Sequence, residues 1–377
     1  MLNLGCVFPL YCSEAGLGHI FLSLCRNWNS EPMQARILVP NIAEPFRGDS
    51  VIEAVPHPLQ WLAYRSTSWP RILTEMRLLR SLPRFDALYA FPDISVRTLG
   101  RIKTHGKPII LERVNCFGGK RRQLMEREYR RLGAAPPRPF EKWAVDAERE
   151  AVAIADFLFC PSPEVETSFL EAGLSPGKLI SSSYGWSPER FPQTADPRPP
   201  REAVTVLFAG TVCIRKGAHL LLDAWQRAAI SGRLVLCGPI EPALQRLFGE
   251  LLARPDVVHI PYASDMGRFY READIFAFPS IEEGGPLVTY EAMAHGLAVV
   301  ASPMGAGAVL RNGIDGLVIP PHSADGWVDA LRSLAQSPEC RLRFGEAARV
   351  RAQDFTWAKV ARRRADALTE KLNNARL

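Results

Sequence analysis

Short apolar runs alternate along the chain with longer stretches in which apolar residues recur at helical spacing. Such short runs are typical of buried parallel strands, and the stretches between them are typical of crossover helices. The predicted strands are residues 4–9, 36–40, 87–91, 108–112 and 157–161 in the first half, and residues 205–210, 233–238, 257–260, 275–279 and 297–301 in the second half. This alternation predicts an α/β fold with parallel sheets.

The two sets of strands are separated by the segment TADPRPPREA, which is rich in proline and polar residues. Because this composition is typical of a linker, we predict a first domain at 1–193, a linker at 194–202 and a second domain at 203–354. Each domain is expected to be a Rossmann-like, doubly wound parallel sheet, and the two should face a central cleft. Ligands of such sheets bind at the carboxyl ends of the strands, so the site is expected in that cleft.

Composition excludes a disordered or membrane-spanning chain. The 377 residues suffice for two domain cores, and 47% of them are hydrophobic against 23% charged. No apolar run reaches the ~18 residues that a membrane helix needs, and the N-terminus lacks the basic start and cleavage site of a signal peptide. We therefore expect a cytoplasmic protein.

Cysteine usage and charge agree with that location. The eight cysteines form no C-x-x-C pair, and several lie inside predicted strands, which favours a reducing compartment. The net charge of +6 and the pI of about 8.9 suit anionic ligands or a membrane surface. No nucleic-acid partner is expected.

The most informative segment is PSIEEGGPLVTYEAMAHGLAVVAS, residues 279–302. Pro286 suits the first position of a helix, and Gly296 suits the residue just past its end. A turn that leads into a helix N-terminus offers backbone N–H groups to a phosphate. Glu291 leans back toward that end, where a carboxylate accepts hydrogen bonds from ribose hydroxyls. Taken alone, Glu283 and Glu291 could equally be a loop acid and a solvated helix residue.

The whole segment resembles the signature of retaining nucleotide-sugar glycosyltransferases of glycosyltransferase family 4. The match covers Pro279, Ser280, Glu283, Gly284, Leu287, Glu291, Ala292, Met293, Ala294 and Gly296. By this resemblance, Glu283 contacts the donor sugar at the reacting centre and Glu291 holds the ribose hydroxyls. Gly284, Gly285 and Leu287 supply the cradle. Gly285 and Pro286 replace the usual aromatic–glycine pair, and Pro286 lacks an N–H to offer to phosphate.

Further segments resemble the same family, namely residues 155–191, 208–225, 269–280 and 311–321. The resemblance implies the GT-B fold of two Rossmann-like domains, with the C-terminal helix, within 355–377, packing back on the first domain. The turn at 210–217 resembles the family's phosphate-binding turn, and Lys216 is expected at the diphosphate. Thr211 stands where an arginine is usual, so either Arg215 takes that role or the clamp on the diphosphate is weaker.

Candidates in the first domain rest on fewer signals. Gly16 and Gly18 follow the first predicted strand, but Phe21 occupies the third place of a Gly-x-Gly-x-x-Gly motif, so a nicotinamide site is not indicated. By the family resemblance, this loop approaches the donor phosphates and the acceptor. His19 is either a binding or catalytic residue or a structural one. Glu112 and Arg113 end a predicted strand and are either an acceptor site or a structural pair.

No metal or other cofactor is expected, because the nucleotide sugar is a substrate. The chain contains no Asp-x-Asp, and its seven histidines have no ligand spacing. Lys216 and the helix N-terminus at Pro286 would supply the charge that a metal otherwise gives. Residues 61–84 carry five arginines against one acid, with Trp61 and Trp69 interleaved. This pattern fits either a peripheral contact with an anionic membrane at its inner face or an ordinary solvated helix face.

The sequence thus predicts a retaining, metal-independent hexosyltransferase that moves a sugar from a nucleotide diphosphate to a glycan or lipid-linked acceptor. Such a reaction belongs to polysaccharide or glycoconjugate synthesis. Another GT-B enzyme, such as a nucleotide-sugar epimerase or a phosphorylase, remains an alternative. A catalytically silent nucleotide-sugar-binding subunit is a further one.

Overall fold

Two parallel sheets organise the computed structural model, which describes residues 1–13, 16–29, 32–66, 68–136, 141–191 and 203–374. The predicted linker at 194–202 lies outside these residues. The first sheet has seven strands in the order β3-β2-β1-β4-β5-β6-β7. Its strands are β1 Leu2–Val7, β2 Met33–Val39, β3 Val51–Glu53, β4 Ala87–Ala90, β5 Ile109–Glu112, β6 Phe157–Cys160 and β7 Leu179–Ser181.

The second sheet has six strands in the order β10-β9-β8-β11-β12-β13. Its strands are β8 Val204–Ala209, β9 Gly232–Cys237, β10 Val257–Ile260, β11 Ile275–Phe278, β12 Ala298–Ala301 and β13 Gly316–Val318. All pairings in both sheets are parallel. Both strand orders reverse direction beside the first strand of the sheet, which is the place where doubly wound sheets form a ligand crevice.

Helices connect the strands and cover both sheets. They are α1 Gly16–Asn27, α2 Gln60–Ala63, α3 Trp69–Ser81, α4 Val96–Thr104, α5 Gly118–Arg131, α6 Lys142–Ile154, α7 Pro163–Glu171, α8 Ala218–Ala228, α9 Pro242–Leu252, α10 Met266–Glu272, α11 Leu287–Ala294, α12 Pro303–Ala306, α13 Ala324–Gln336, α14 Pro338–Ala352 and α15 Trp357–Asn374. None of the described helices is long and apolar enough to cross a membrane. All eight cysteines are free.

All ten predicted strands are present, with ends shifted by up to three residues. Strands β3, β7 and β13, which are three residues long and lie at sheet edges, are not predicted by the apolar pattern. An edge strand pairs on one side only, so it needs no continuous apolar run. Residues 279–286, between β11 and α11, carry Glu283 and are called the glutamate loop. Helix α11 starts one residue later than expected, because Pro286 is its N-cap and Leu287 its first residue. Gly296 follows the helix with a φ of 69°, as its C-terminal position requires.

The last helix returns to the first sheet. On α15, Ala361 accepts a 2.8 Å hydrogen bond from the indole of Trp28, the residue that follows α1. Arg364, 2% exposed, makes two 2.9 Å hydrogen bonds to the Glu112 carboxylate at the end of β5. A buried bidentate ion pair specifies orientation as well as proximity. It therefore fixes where the C-terminal helix meets the first domain.

Candidate active site

Glu283 lies in the loop between β11 and α11, close to the cationic side chains of Lys216 and Arg215. Its Oε2 is 3.5 Å from Lys216 Nζ and 3.4 Å from Arg215 Nη1, and its side chain is 14% exposed. Burial alone would raise the pKa of Glu283, but the charges of Lys216 and Arg215 outweigh it and hold the pKa below its usual value. The carboxylate is therefore ionised. It faces two cations that would attract the diphosphate of a ligand.

Both cations come from the turn that follows β8. Gly210 and Gly217 frame this turn with φ angles of 108° and 70°, which only glycine adopts without strain. A Cβ on Gly217 would stand 2.0 Å from the Pro279 carbonyl oxygen, so the missing side chain lets the turn pack directly on the glutamate loop. One on Gly210 would stand 2.9 Å from Lys216 Nζ. Lys216 thus reaches back over the end of β8.

Glu291 lies in a separate, more enclosed place. It is 8% exposed, so a solvated helix position is excluded. The Tyr270 hydroxyl donates a 2.8 Å hydrogen bond to its Oε2, and Arg190 lies 3.8 Å from its Oε1. Burial raises the pKa of Glu291, although Tyr270 and Arg190 act against that rise. A buried carboxylate with one long ion pair retains capacity to accept hydrogen bonds from a ligand's hydroxyls.

Gly284 and Gly285 bring the loop of the second domain into close contact with the first domain. A Cβ on Gly284 would stand 1.9 Å from the Val114 carbonyl oxygen, and one on Gly285 would stand 2.6 Å from the Tyr184 ring. Val114 follows β5 and Tyr184 follows β7, so both belong to the first domain. The glutamate loop is therefore covered by the carboxyl edge of the first sheet. Leu287 begins α11 directly behind it and is partly buried.

The candidate residues that follow β1 belong to a helix, not to a loop. Gly16 and Gly18 stand in the first turn of α1, and a Cβ on Gly18 would lie 2.7 Å from the Ser13 carbonyl oxygen. His19 is buried beside the Trp357 ring, with ring centres 5.9 Å apart. Burial, aided by the Arg190 charge, lowers the pKa of His19 to about 4. This imidazole is thus neutral at physiological pH, and it shares Arg190 as a neighbour with Glu291.

Glu112 and Arg113 do not pair with each other. Glu112 is occupied by Arg364 and by the Tyr89 hydroxyl, which donates a 2.6 Å hydrogen bond to it. Arg113 forms an ion pair with Glu148 on α6 at 2.5 Å. Adjacent residues on a strand point to opposite faces, which explains the separate partners. Glu112 is therefore committed to the fold, although both residues line one cavity.

That cavity, of about 350 Å³, lies at the carboxyl ends of β4 and β5. Its walls include Asp93, Arg113, Asn115 and the exposed Trp143. Asp93 has a φ of 81°, an unusual value for a residue other than glycine. Val114, whose carbonyl faces Gly284, lines the cavity too. The cavity therefore opens within one residue of the glutamate loop.

Helix α5 of the first domain also contacts the region of the turn after β8 through hydrogen bonds. The Tyr129 hydroxyl hydrogen-bonds to Glu241, and the other oxygen of that carboxylate accepts the Ile214 N–H at 2.9 Å. Glu128 accepts a 2.8 Å hydrogen bond from His219, at the start of α8. Hydrogen bonds from His219 and Arg131 outweigh burial and lower the pKa of Glu128 to about 2. Within the described residues, no group of three or more His, Cys, Asp and Glu could hold a metal ion.

Comparison with solved structures defines the class of fold as GT-B. Sucrose-phosphate synthase of Thermosynechococcus elongatus superimposes with a TM-score of 0.76 at 19% identity over 100% of both chains. The Anabaena protein Alr3699/HepE, solved in complex with UDP and glucose, superimposes with a TM-score of 0.68 at 13% identity, covering 98% of this chain and 100% of that one. At identities this low, the superpositions establish the fold and not the function.

Residues 203–337, which make up most of the second domain, match the family model described as glycosyl transferases group 1. A D-inositol 3-phosphate glycosyltransferase of Pseudarthrobacter chlorophenolicus is 32% identical over 168 residues, 41% of this chain and 40% of that protein. Its counterpart in Kineococcus radiotolerans is 30% identical over 251 residues, 58% of each chain. The matches thus span about half the length of these relatives, and they confirm the family resemblance found in the sequence.

Several residues of this site were not singled out by the sequence. Glu282, Tyr270, Arg190 and Glu241 all contact a predicted site residue or its turn. Tyr270 stands in a segment that resembles the family, so its neighbourhood was indicated but not its contact with Glu291. Arg190 and Glu282 also stand in segments that resemble the family, whereas Glu241 does not. The contacts of all three follow from tertiary packing, because these residues lie far from their partners in sequence or beside a more prominent glutamate.

Proposed function

We propose that this protein is a retaining glycosyltransferase that uses a nucleoside diphosphate sugar as donor. The observation that carries the proposal is Glu283, an ionised and nearly enclosed carboxylate held beside Lys216 and Arg215 at the edge of the second sheet. Cations at this place suit a diphosphate, and the carboxylate suits sugar hydroxyls. Glu291, eight residues further on, is the proposed partner of the ribose hydroxyls.

The proposed reaction needs positive charge near the leaving group, because the departing diphosphate gains negative charge. As the bond from the anomeric carbon to the diphosphate oxygen breaks, its electron pair passes to the diphosphate. The acceptor oxygen forms the new bond to the anomeric carbon, and its proton passes to the departing diphosphate. Lys216 and Arg215 are preorganised to stabilise the charge that develops. This supports a reaction without a divalent metal, because the side chains themselves supply the potential.

The acceptor is proposed to enter from the first domain. The cavity at the ends of β4 and β5 combines charged, amide and aromatic groups, a mixture that suits a hydroxyl-rich glycan or the head of a lipid-linked one. It adjoins Val114, which contacts the glutamate loop through its backbone. A role in polysaccharide or glycoconjugate synthesis follows from such an acceptor.

The test is a donor and acceptor screen. UDP-, GDP- and ADP-sugars are first ranked by thermal shift, because a bound ligand raises the apparent stability. The best donor is then incubated with glycan and lipid-linked acceptors, and the anomeric configuration of the product is compared with that of the donor by NMR. Transfer with retention is expected. A chain that binds none of these donors, or yields only inverted product, contradicts the proposal.

A catalytically silent binding subunit is the second candidate, because Thr211 and Pro286 depart from the family signature. Donor binding with no turnover across the acceptor panel would favour it. An epimerase would instead release free sugar in the absence of any acceptor. The same screen therefore separates all three activities.

We also propose a peripheral contact with anionic membrane through the surface formed by α2, α3 and Leu82–Arg84. Trp61, Trp69, Ile72 and Met76 are between 42% and 66% exposed there. The one acid of this segment, Glu75, is buried and accepts hydrogen bonds from Ser95 and Thr98, so the outward charges are arginines. Exposed tryptophan flanked by arginine is typical of surfaces that bind anionic lipid.

Vesicle cosedimentation tests this contact. The protein should sediment with vesicles containing phosphatidylglycerol, and less so as salt rises, since ~0.15 M salt screens charges beyond ~8 Å. Trp69→Ser combined with Ile72→Ser should weaken sedimentation severalfold, whereas Leu342→Ser, which removes an apolar residue 73% exposed on the second domain, should not. Absence of sedimentation at low salt would remove the membrane from the proposal.

A further inference from the structure

Glu282 is a buried acid at the active site for which the proposed reaction has no use. It is 0% exposed, and its Oε1 has no hydrogen-bond partner among the described residues. Its Oε2 lies 3.3 Å from Arg215 Nη1. A buried carboxylate with a single long contact is costly to the fold. The pair Arg364–Glu112, with two 2.9 Å hydrogen bonds, shows how a purely structural pair in this chain is satisfied.

Arg215 is held through one nitrogen only. Nη1 donates to the Glu282 carbonyl at 2.7 Å and contacts the carboxylates of Glu282 and Glu283. Nε and Nη2 have no hydrogen-bond partner in the part of the chain that the structure describes. The Arg215 side chain as a whole is one-third exposed, so the residue is not sealed inside the protein. A free Nε–Nη2 edge donates in parallel to two oxygens of an anion, as diphosphate recognition requires.

Backbone hydrogen bonds also hold Arg215 against the glutamate loop. Its carbonyl accepts the N–H of Ile281 at 2.9 Å and that of Glu282 at 3.3 Å. The turn after β8 and the glutamate loop are thus joined at Arg215 by main chain and side chain together. A long arginine on a turn otherwise samples many rotamers, and each unproductive rotamer weakens the binding of an anion.

We infer that Glu282 is a positioning residue that fixes Arg215 with its free guanidinium edge toward the donor diphosphate. This inference rests on the proposed function and adds a residue to it. Arg121 of the first domain and Glu283 are the other charges that act on Glu282. Burial raises the pKa of Glu282, while Arg215 favours its ionised form. The ion pair therefore depends on Arg215 remaining in place, which makes the restraint mutual.

Nucleotide binding to purified full-length protein tests the inference. Affinities for UDP, GDP and ADP and for UMP, GMP and AMP are measured by calorimetry, and the base that wild type binds most tightly is kept. Glu282→Ala and the isosteric Glu282→Gln should lower the affinity for the diphosphate about tenfold and leave the monophosphate unchanged. Arg215→Ala should give the same selective loss. The double variant should lose no more than Arg215→Ala alone, because both changes remove one interaction.

Asp315→Asn is the matched control, since Asp315 is also 0% exposed and paired with an arginine, Arg311, at 2.7 Å. It should lower thermal stability without changing the ratio of diphosphate to monophosphate affinity. An unchanged ratio in the Glu282 variants, or a gain in diphosphate affinity on removal of a competing anion, overturns the inference and leaves the function intact. Failure of wild type to bind any of the six nucleotides contradicts the proposed function itself.

Discussion

At the scale of single residues, two glutamates of one segment have opposite environments. Lys216 and Arg215 hold the pKa of Glu283 below its usual value, whereas burial raises the pKa of Glu291, which has only Tyr270 and a 3.8 Å contact with Arg190. A strongly ionised carboxylate beside cations suits the reacting sugar. An enclosed one with spare acceptor capacity suits neutral hydroxyls. Substitution of Glu283 and substitution of Glu291 should therefore have different effects on nucleotide binding and on turnover.

Glu291→Ala should weaken the binding of the bare nucleoside diphosphate by about 1.5–3 kcal/mol, because ribose hydroxyls lose a charged acceptor. Glu283→Ala should retain that binding, since Lys216 and Arg215 are then released from a competing carboxylate, and should lose turnover. Calorimetry with the diphosphate and an initial-rate assay check the two variants. Glu250→Ala, which changes an exposed acid on α9, serves as control. Equal nucleotide affinity in Glu291→Ala and wild type contradicts the ribose assignment.

At the scale of elements, the site is made where the turn after β8 meets the loop after β11. These strands are neighbours in the sheet, with Val206 opposite Ile275, so their carboxyl ends emerge side by side. Gly217 then allows the turn to touch Pro279. Lys216 lies 5.3 Å from the centre of the Phe278 ring and 3.5 Å from Glu283. The lysine charge is thus fixed by packing before any ligand binds.

Lys216→Ala should lower the transfer rate on the order of a hundredfold, the usual cost of one preorganised group that stabilises developing charge. Wild-type activity should survive EDTA, and added magnesium should not restore the variant. Initial rates with and without EDTA provide the measurement. Lys103→Ala, on α4 of the first domain, is the control and should retain full activity. Loss of wild-type activity in EDTA that magnesium or manganese restores would assign the charge to a metal instead.

At the scale of the whole molecule, two sets of contacts decide how the domains meet. Helix α15 anchors on the first sheet through Arg364 and Glu112. In addition, Gly284 packs against Val114, and α5 reaches the turn after β8 through Tyr129 and Glu241. The first set is a buried ion pair that holds the C-terminal helix, which follows the second domain in the chain, against the first sheet. The second joins the domains across the site itself.

Arg364→Met should destabilise the protein by about 3–5 kcal/mol, because it leaves the fully buried Glu112 without its cation. The additional change Glu112→Gln should recover part of that loss, since the unpaired charge is then removed. Thermal and denaturant unfolding measure both variants. Lys359→Met, which removes an exposed charge from the same helix, should change stability by less than about 1 kcal/mol. Equal effects of Arg364→Met and Lys359→Met contradict the anchoring role.

Gly284→Ala should keep the domains from closing, because its Cβ would stand 1.9 Å from the Val114 carbonyl oxygen. Small-angle scattering should show a larger radius of gyration, and transfer should fall while nucleotide binding to the second domain persists. Gly100→Ala is the matched control, because a Cβ there meets nothing within 4 Å. An unchanged radius together with full activity would show that this contact does not govern closure.

Apolar periodicity and one sequence motif were enough to predict the α/β class, ten of the strands and the family resemblance. These features depend on local periodicity and on a motif whose members lie within one loop and one helix, as Glu283 and Glu291 do. Neither periodicity nor the motif carries information on partners distant in sequence. The pairing of Glu112 with Arg364, the burial of Glu282 against Arg215 and the contact of Arg190 with Glu291 were decided only by the tertiary structure. Which charged side chains meet depends on how the elements pack in the folded protein. The order of the residues along the chain does not specify these contacts.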